Sequence, residues 1–183
     1  MMFEDTAEHG TRFAPEATRA PAHLPGMEPE RRTKLRIEFV IPGEPKGKGR
    51  ARSRIAKAGD GRQFVTHYTP KDTAEYENLV RMAAHEAMAG GAPTRFPCHV
   101  SISAYCSVPA SWSKKRRGLA LAGEILPTGK PDLDNTEKAV LDGMNKIVYR
   151  DDSVVCEVCK SKRYSDTPRV EVWVRELDGE PAS

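Results

Sequence analysis

The residues able to do chemistry are concentrated in one run, Lys130-Pro131-Asp132-Leu133-Asp134-Asn135-Thr136-Glu137-Lys138-Ala139-Val140-Leu141-Asp142, with Asp151-Asp152 a few positions beyond. The run holds four carboxylates and two lysines. Carboxylates crowded at one point repel one another unless a positive centre joins them, and a hard divalent cation with oxygen ligands, Mg²⁺ or Mn²⁺, is the common solution. Asp and Glu also serve helix starts and turns, so each acid has an ordinary structural use to set against metal binding. Together they favour the metal. Pro131 disfavours helix at Lys130. Asp134 reads as a helix N-cap, with Glu137 three residues on completing a capping box. Asp134, Lys138 and Asp142 then step by four along one side of that helix. Asp132 falls in extended chain just before it, where it and Asp134 can point into one pocket. Asp151 and Asp152 close the following turn and can fold back onto the same place.

The elements that must position these groups are legible from periodicity. Ala139, Val140, Gly143, Met144 and Ile147 form the inward stripe of the acidic helix. Upstream, residues 34–41 alternate, with Leu35, Ile37, Phe39 and Ile41 on one face, and Pro42-Gly43 ends that strand. A basic segment follows. From Lys46 to Arg62 there are seven basic residues, Lys46, Lys48, Arg50, Arg52, Arg54, Lys57 and Arg62, against the single acid Asp60. Such a local excess is a footprint for phosphate backbone, and its glycines are expected to let the backbone approach a phosphodiester. Gly59-Asp60-Gly61 is a turn signal that makes the segment one arm of a β-hairpin completed by residues 62–68. Thr69-Pro70-Lys71-Asp72 starts a helix, which carries Tyr76, Leu79, Val80, Ala83, Ala87 and Met88 as its stripe and stops at Gly90-Gly91. Residues 99–108 alternate as a strand. A short helix capped by Ser111 or Ser113 carries Lys114, Lys115 and Arg116, and Trp112 can stack on a base or, the commoner fate, pin its loop. Residues 154–164 and 169–176 read as two strands joined by Ser165-Asp166-Thr167-Pro168 into an antiparallel hairpin. This order of elements is an α+β pattern: a mixed, mainly antiparallel sheet with helices packed on it.

A chain of 183 residues suffices for one domain of ordinary size. We read residues 1–33, rich in Pro, Glu, Arg and Ala, as a disordered tail. Residues 34–176 form the working domain and 177–183 a short C-terminal tail. The net charge is only +3, so the distribution of charge rather than its sum speaks for nucleic acid. No run approaches the roughly 18 apolar residues of a membrane span, and the N-terminus lacks the apolar core of a signal peptide; a cytoplasmic protein is expected. Of the four cysteines, Cys156 and Cys159 have ligand spacing but Cys98 and Cys106 do not match it. Buried or half-buried free thiols are the expectation.

The run Lys-Pro-Asp-Leu-Asp-Asn from Lys130, together with Lys138, Asp142 and Asp151-Asp152-Ser153, resembles the RusA family of Holliday-junction resolvases, phage- and prophage-associated endodeoxyribonucleases of bacteria. The strand ending Ile41-Pro42-Gly43, the basic run Lys46 to Arg54, Tyr68-Thr69-Pro70 and the segment Ser111 to Arg116 agree with it over residues 35–176. The resemblance implies a RusA-like fold and a homodimer that nicks two strands of a four-way DNA junction symmetrically in recombination or repair, in a bacterial or phage-infected cell. It implies Asp132, Asp134 and Asp152 as catalytic carboxylates holding Mg²⁺, with Mn²⁺ an alternative, and Asp151 competing with Asp152 for that place. Lys138 is the matching catalytic lysine, and Asp142 a recurrent position that either supports the ligands from behind or is a helix-surface acid. Lys46, Lys48, Arg50, Arg52, Arg54, Lys114, Lys115, Arg116 and Lys130 are the expected DNA contacts. Neither a membrane nor a small-molecule cofactor is expected.

Two rival readings stand beside this one. A non-catalytic DNA-binding module would use the basic arm alone and leave the acids near DNA without purpose. Asp132-Leu133-Asp134-Asn135-Thr136 also fits the nucleophile motif of haloacid-dehalogenase-type phosphatases, but that motif should follow a buried strand near the start of a parallel sheet.

Overall fold

The computed structural model describes residues 33–182 apart from 51, 58, 60 and 61. The expected disordered tail therefore lies outside the described residues except for Thr33, as do two residues of the Gly59-Asp60-Gly61 turn.

The strands are β1 (Arg36–Pro42), β2 (Arg52–Lys57), β3 (Gln63–Tyr68), β4 (Cys98–Ser107), β5 (Val155–Ser165) and β6 (Arg169–Glu176). The helices are α1 (Lys71–Met88), α2 (Lys114–Leu121) and α3 (Leu133–Met144), and one 3₁₀ turn, Asp152–Val154, precedes β5. A four-stranded sheet has the order β1-β6-β4-β5, while β2 and β3 pair only with each other. β6 runs antiparallel to both β1 and β4, and β4 runs parallel to β5. The fold is thus α+β with a mixed, mainly antiparallel sheet.

The core follows from alternation. β4 buries Cys98, Val100, Ile102, Ala104 and Cys106 in strict succession, and β6 buries Val170, Val172 and Val174. Helices α1 and α3 cover that face with Tyr76, Val80, Ala84 and Met88 from one and Ala139, Val140 and Met144 from the other. The two helices touch at Gly143, where an added Cβ would lie 2.6 Å from the Cβ of Val80. Only glycine permits that approach. Burial pushes the Cys98 thiol up to about 11, with Glu176 and Cys156 adding to the effect. Among the described residues no helix is long and apolar enough to cross a membrane.

Three expectations are corrected. β5 and β6 are not a hairpin, because β4 lies between them. The most regularly apolar strand takes the position where both its edges are paired, and β5, with Lys160 and Lys162, is left as an edge strand, where charge protects an open ladder. Cys156 and Cys159 on that edge are exposed, whereas Cys98 and Cys106 are buried. α3 begins at Leu133, so Asp132 and not Asp134 is its N-cap. Asp134 lies in the first turn, and Glu137 pairs with Lys160 rather than reaching back to a cap. Smaller shifts occur at helix ends. Pro70 caps α1, and α3 stops at Met144, short of Ile147.

Candidate functional site

The start of α3 is held from outside by the edge strand. Lys162 Nζ donates to the carbonyls of Gly129 at 2.6 Å and Pro131 at 2.9 Å, and Lys160 pairs with Glu137. These two lysines on one face of β5 fix the loop entering α3 and the helix's second turn. Sequence reasoning passed over them; the signal was the alternation of Lys160 and Lys162 in a strand just downstream of a carboxylate cluster. Asp132 caps the helix with its backbone carbonyl, which accepts from Thr136 N at 3.0 Å, while its side chain accepts from Asn135 Nδ2 at 3.2 Å. Asp134 faces Lys138 at 3.6 Å, the one-turn spacing expected. Asp132, Asp134 and Lys138 are all exposed.

Asp142, two turns beyond Asp134, is taken up by Lys48, which also lies 3.7 Å from Glu77 of α1. Burial opposes the charge on Lys48, but the hydrogen bond and charge of Asp142, then Glu77, outweigh it and hold the ammonium above its ordinary value. Asp151 caps the 3₁₀ turn, its Oδ1 accepting from Ser153 N at 3.1 Å, and this bonding holds its carboxyl below the usual range. Asp152 opens the turn and is exposed. Burial, followed by the negative charges of Asp152 and Asp142, pushes the Tyr149 phenol upward, and Tyr149 Oη donates to Leu141 O at 2.8 Å. Asp152 therefore bears on Tyr149, whose hydroxyl is bound to Leu141 in the far half of α3. In type, these exposed carboxylates suit a hard divalent cation. Among the described residues, however, no three His, Cys, Asp or Glu side chains are gathered closely enough to hold a metal ion.

The structure does bring the acidic loop and the basic segment together. Gly47, Lys48 and Gly49 form one wall of a groove of about 420 Å³, and Lys130, Pro131, Asp132 and Asn135 form the other. Lys48 N donates to Asn135 O at 2.8 Å, and Gly49 N donates to Thr73 Oγ1 at 3.0 Å. A Cβ at Gly47 would stand 2.9 Å from the Cβ of Asn135, and one at Gly49 would stand 2.8 Å from Thr73 Oγ1. The glycines thus serve contact with the starts of α3 and α1, where a phosphodiester had been expected. The other expected DNA contacts lie on three elements. Lys46, Arg50, Arg52 and Arg54 are exposed along the segment and hairpin, and Lys130 is exposed at the groove. Lys114, Lys115 and Arg116 are exposed on α2, where the Arg116 guanidinium lies 4.0 Å from the centre of the Trp112 ring. Trp112 packs edge-on against Tyr164 at 5.3 Å, so it pins its loop as expected. Ser113 caps α2, accepting from Arg116 N. The element before Asp132 is α2 and not a buried strand, which removes the phosphatase reading.

Residues 42–175 match the family described as endodeoxyribonuclease RusA. The chain is also 36% identical over 143 residues to the uncharacterized protein YqaN of Bacillus subtilis (strain 168), a match covering 77% of this chain and 96% of that one.

Proposed function

We propose, on the premise that this chain belongs to the RusA family of endodeoxyribonucleases, that it is a Mg²⁺-dependent nuclease that resolves four-way DNA junctions during recombination or repair. The observation that carries the reading is the groove in which the basic segment at Lys48 and the acidic loop at Asp132 face each other. Lys130, exposed in that groove beside Asp132, suits a phosphodiester held by a cation next to a carboxylate. By the family resemblance Asp132, Asp134 and Asp152 are the residues that would hold Mg²⁺, with Asp151 engaged as a turn cap, although the described residues of this single chain gather no three acids into one metal site. Bound there, the ion supplies Lewis acidity toward a phosphate oxygen and a lowered pKa for its water.

The chain's own groups do the rest. Lys138, one turn from Asp134, offsets negative charge that builds on the phosphorus oxygens. The Lys48–Asp142 pair ties the basic segment to α3 and so sets the groove's width. Lys130 and the exposed arginines of the segment hold the backbone of the junction arms, contacts that read charge and shape more than base sequence. A homodimer acting on two strands belongs to the same proposal, since a two-fold substrate is matched by a two-fold protein.

Purified protein is mixed with labelled four-way junction and with linear duplex, in Mg²⁺ and in EDTA. Paired nicks in the junction that require Mg²⁺ support the reading. Asp134→Asn should keep junction binding, lose cutting by at least about a hundredfold, and weaken Mn²⁺ binding measured directly by electron paramagnetic resonance. A variant that cuts normally, or a wild type that binds but never cuts in any divalent ion, overturns it.

A further inference from the structure

The hairpin β2–β3 stands outside the four-stranded sheet. Its strands pair over Arg52↔Tyr68, Arg54↔Thr66 and Ala56↔Phe64 on one face, and Ile55↔Val65 lies on the other. Directly opposed residues of an antiparallel pair share a face, so Arg52, Arg54, Phe64 and Tyr68 stand together. Among the described residues, no other element packs substantially on either strand. Phe64 remains 49% exposed and Tyr68 45%. Large aromatics left in water beside arginines need an occupant, and the pairing of the two residue types says which one. Cations meet a polyanion, and a π face without a partner accepts a flat ring. From Lys46 to Tyr68 the sequence holds one acid, Asp60, so the hairpin repels nothing negative.

We infer that this aromatic-arginine face takes unstacked DNA bases, with Phe64 and Tyr68 as stacking platforms and Arg52 and Arg54 on the adjoining phosphates. The inference rests on the junction reading above and deepens it. A four-way junction differs from linear duplex at its branch point, where the continuous stack is interrupted and bases are cheapest to open. A hairpin that captures such bases gives preference for branched over linear DNA without reading sequence. The opposite face, where Ile55 pairs with Val65, carries neither a Phe nor a Tyr and does not share the task.

The test uses the full chain in EDTA, where cutting is suppressed, and a four-way junction with 2-aminopurine at the branch point. Wild type should raise the fluorescence several-fold on saturation, because the probe brightens when it leaves the stack. Phe64→Ala with Tyr68→Ala should abolish the rise and weaken junction binding about tenfold per ring removed, while linear-duplex binding moves less than about twofold. Ile55→Ser with Val65→Ser should leave the rise intact. Should the alanine variant misfold, Phe64→Leu with Tyr68→Leu keeps apolar bulk and removes only the π faces, with the same loss expected. No rise with wild type, or an unchanged rise in both aromatic variants, overturns the inference. So does sedimentation showing that the aromatic variants lose a dimer while the fluorescence rise persists, because the face then belongs to a second copy. Cutting in Mg²⁺ is scored separately on the same proteins. Unstacking without cutting defeats the nuclease reading alone, and cutting without unstacking defeats this inference alone.

Discussion

Two regions of this protein are built from the same alternating pattern and meet different fates. In β4 every second residue is buried beneath α1 and α3, and Ile102 is 1% exposed. In the hairpin β2–β3 the pattern also alternates, yet Ile55 is 68% exposed and Val65 58%. The difference is not in the strands but in whether a second layer exists. A sheet face gains hydrophobic stabilisation only when something covers it, and a lone two-stranded ribbon is marginal in water. The hairpin is held by its own ladder and by the pinning of Gly47, Lys48 and Gly49 against α1 and α3 just before it. The body therefore carries the stability and the hairpin carries exposed chemistry.

The comparison is sharpest for one residue type at two sites. Ile102→Ala should cost about 3 kcal/mol of unfolding free energy, as for other fully buried aliphatics, and Ile55→Ala less than about 0.5 kcal/mol. Urea unfolding of both variants checks this, and equal losses would show that the hairpin is part of the cooperative core.

The buried body also holds a titratable thiol. Cys98 is buried in β4, and its folded pKa is raised to about 11 against an ordinary 9.0. The unfolded thiol ionises first, so the stabilising difference is whole below pH 9 and is lost as the pH rises through 11. A two-unit shift corresponds to about 2–3 kcal/mol. Urea midpoints in reducing buffer should therefore fall more steeply across that range for wild type than for Cys98→Ala. Parallel pH profiles for wild type and Cys98→Ala would refute the assignment.

The joint between the two regions should show the smallest effect. Lys48 and Asp142 are each about one-third exposed, so solvent screens the pair. A double-mutant cycle with Lys48→Met and Asp142→Asn is expected to give a coupling of about 1 kcal/mol. The raised pKa of Lys48 means that its contribution is complete below the ordinary lysine value and disappears only as strongly alkaline pH deprotonates the folded form. Coupling that vanishes by pH 8 would indicate that the pair is not formed in solution.

Much of the site was legible in advance because its signals are local. The i,i+4 spacing of Asp134 and Lys138 survived as an ion pair, Ser113 capped α2, and the basic arm became a hairpin strand. What escaped depended on partners far along the chain. Lys48 meets Asp142 across 94 positions, and Lys162 meets Pro131 across 31. The cap at Asp132 was missed by two residues because Asp-x-Asp offers two candidate cap positions, and the choice fell to the register that buries Thr136, Ala139 and Val140.

By itself, the order of residues determined the α+β class, the elements that make it, the polar run that opens α3 and the segregation of positive charge into one arm. These follow from side-chain periodicity and turn chemistry, which act over a few residues and need no neighbour. Only the folded chain decided that β4 would sit between β5 and β6, that Gly47 and Gly49 would pack against helix starts, and that Asp152 would bear on Tyr149. Those outcomes depend on which surfaces compete for the same covering layer, a contest that distant segments settle only when they meet in space.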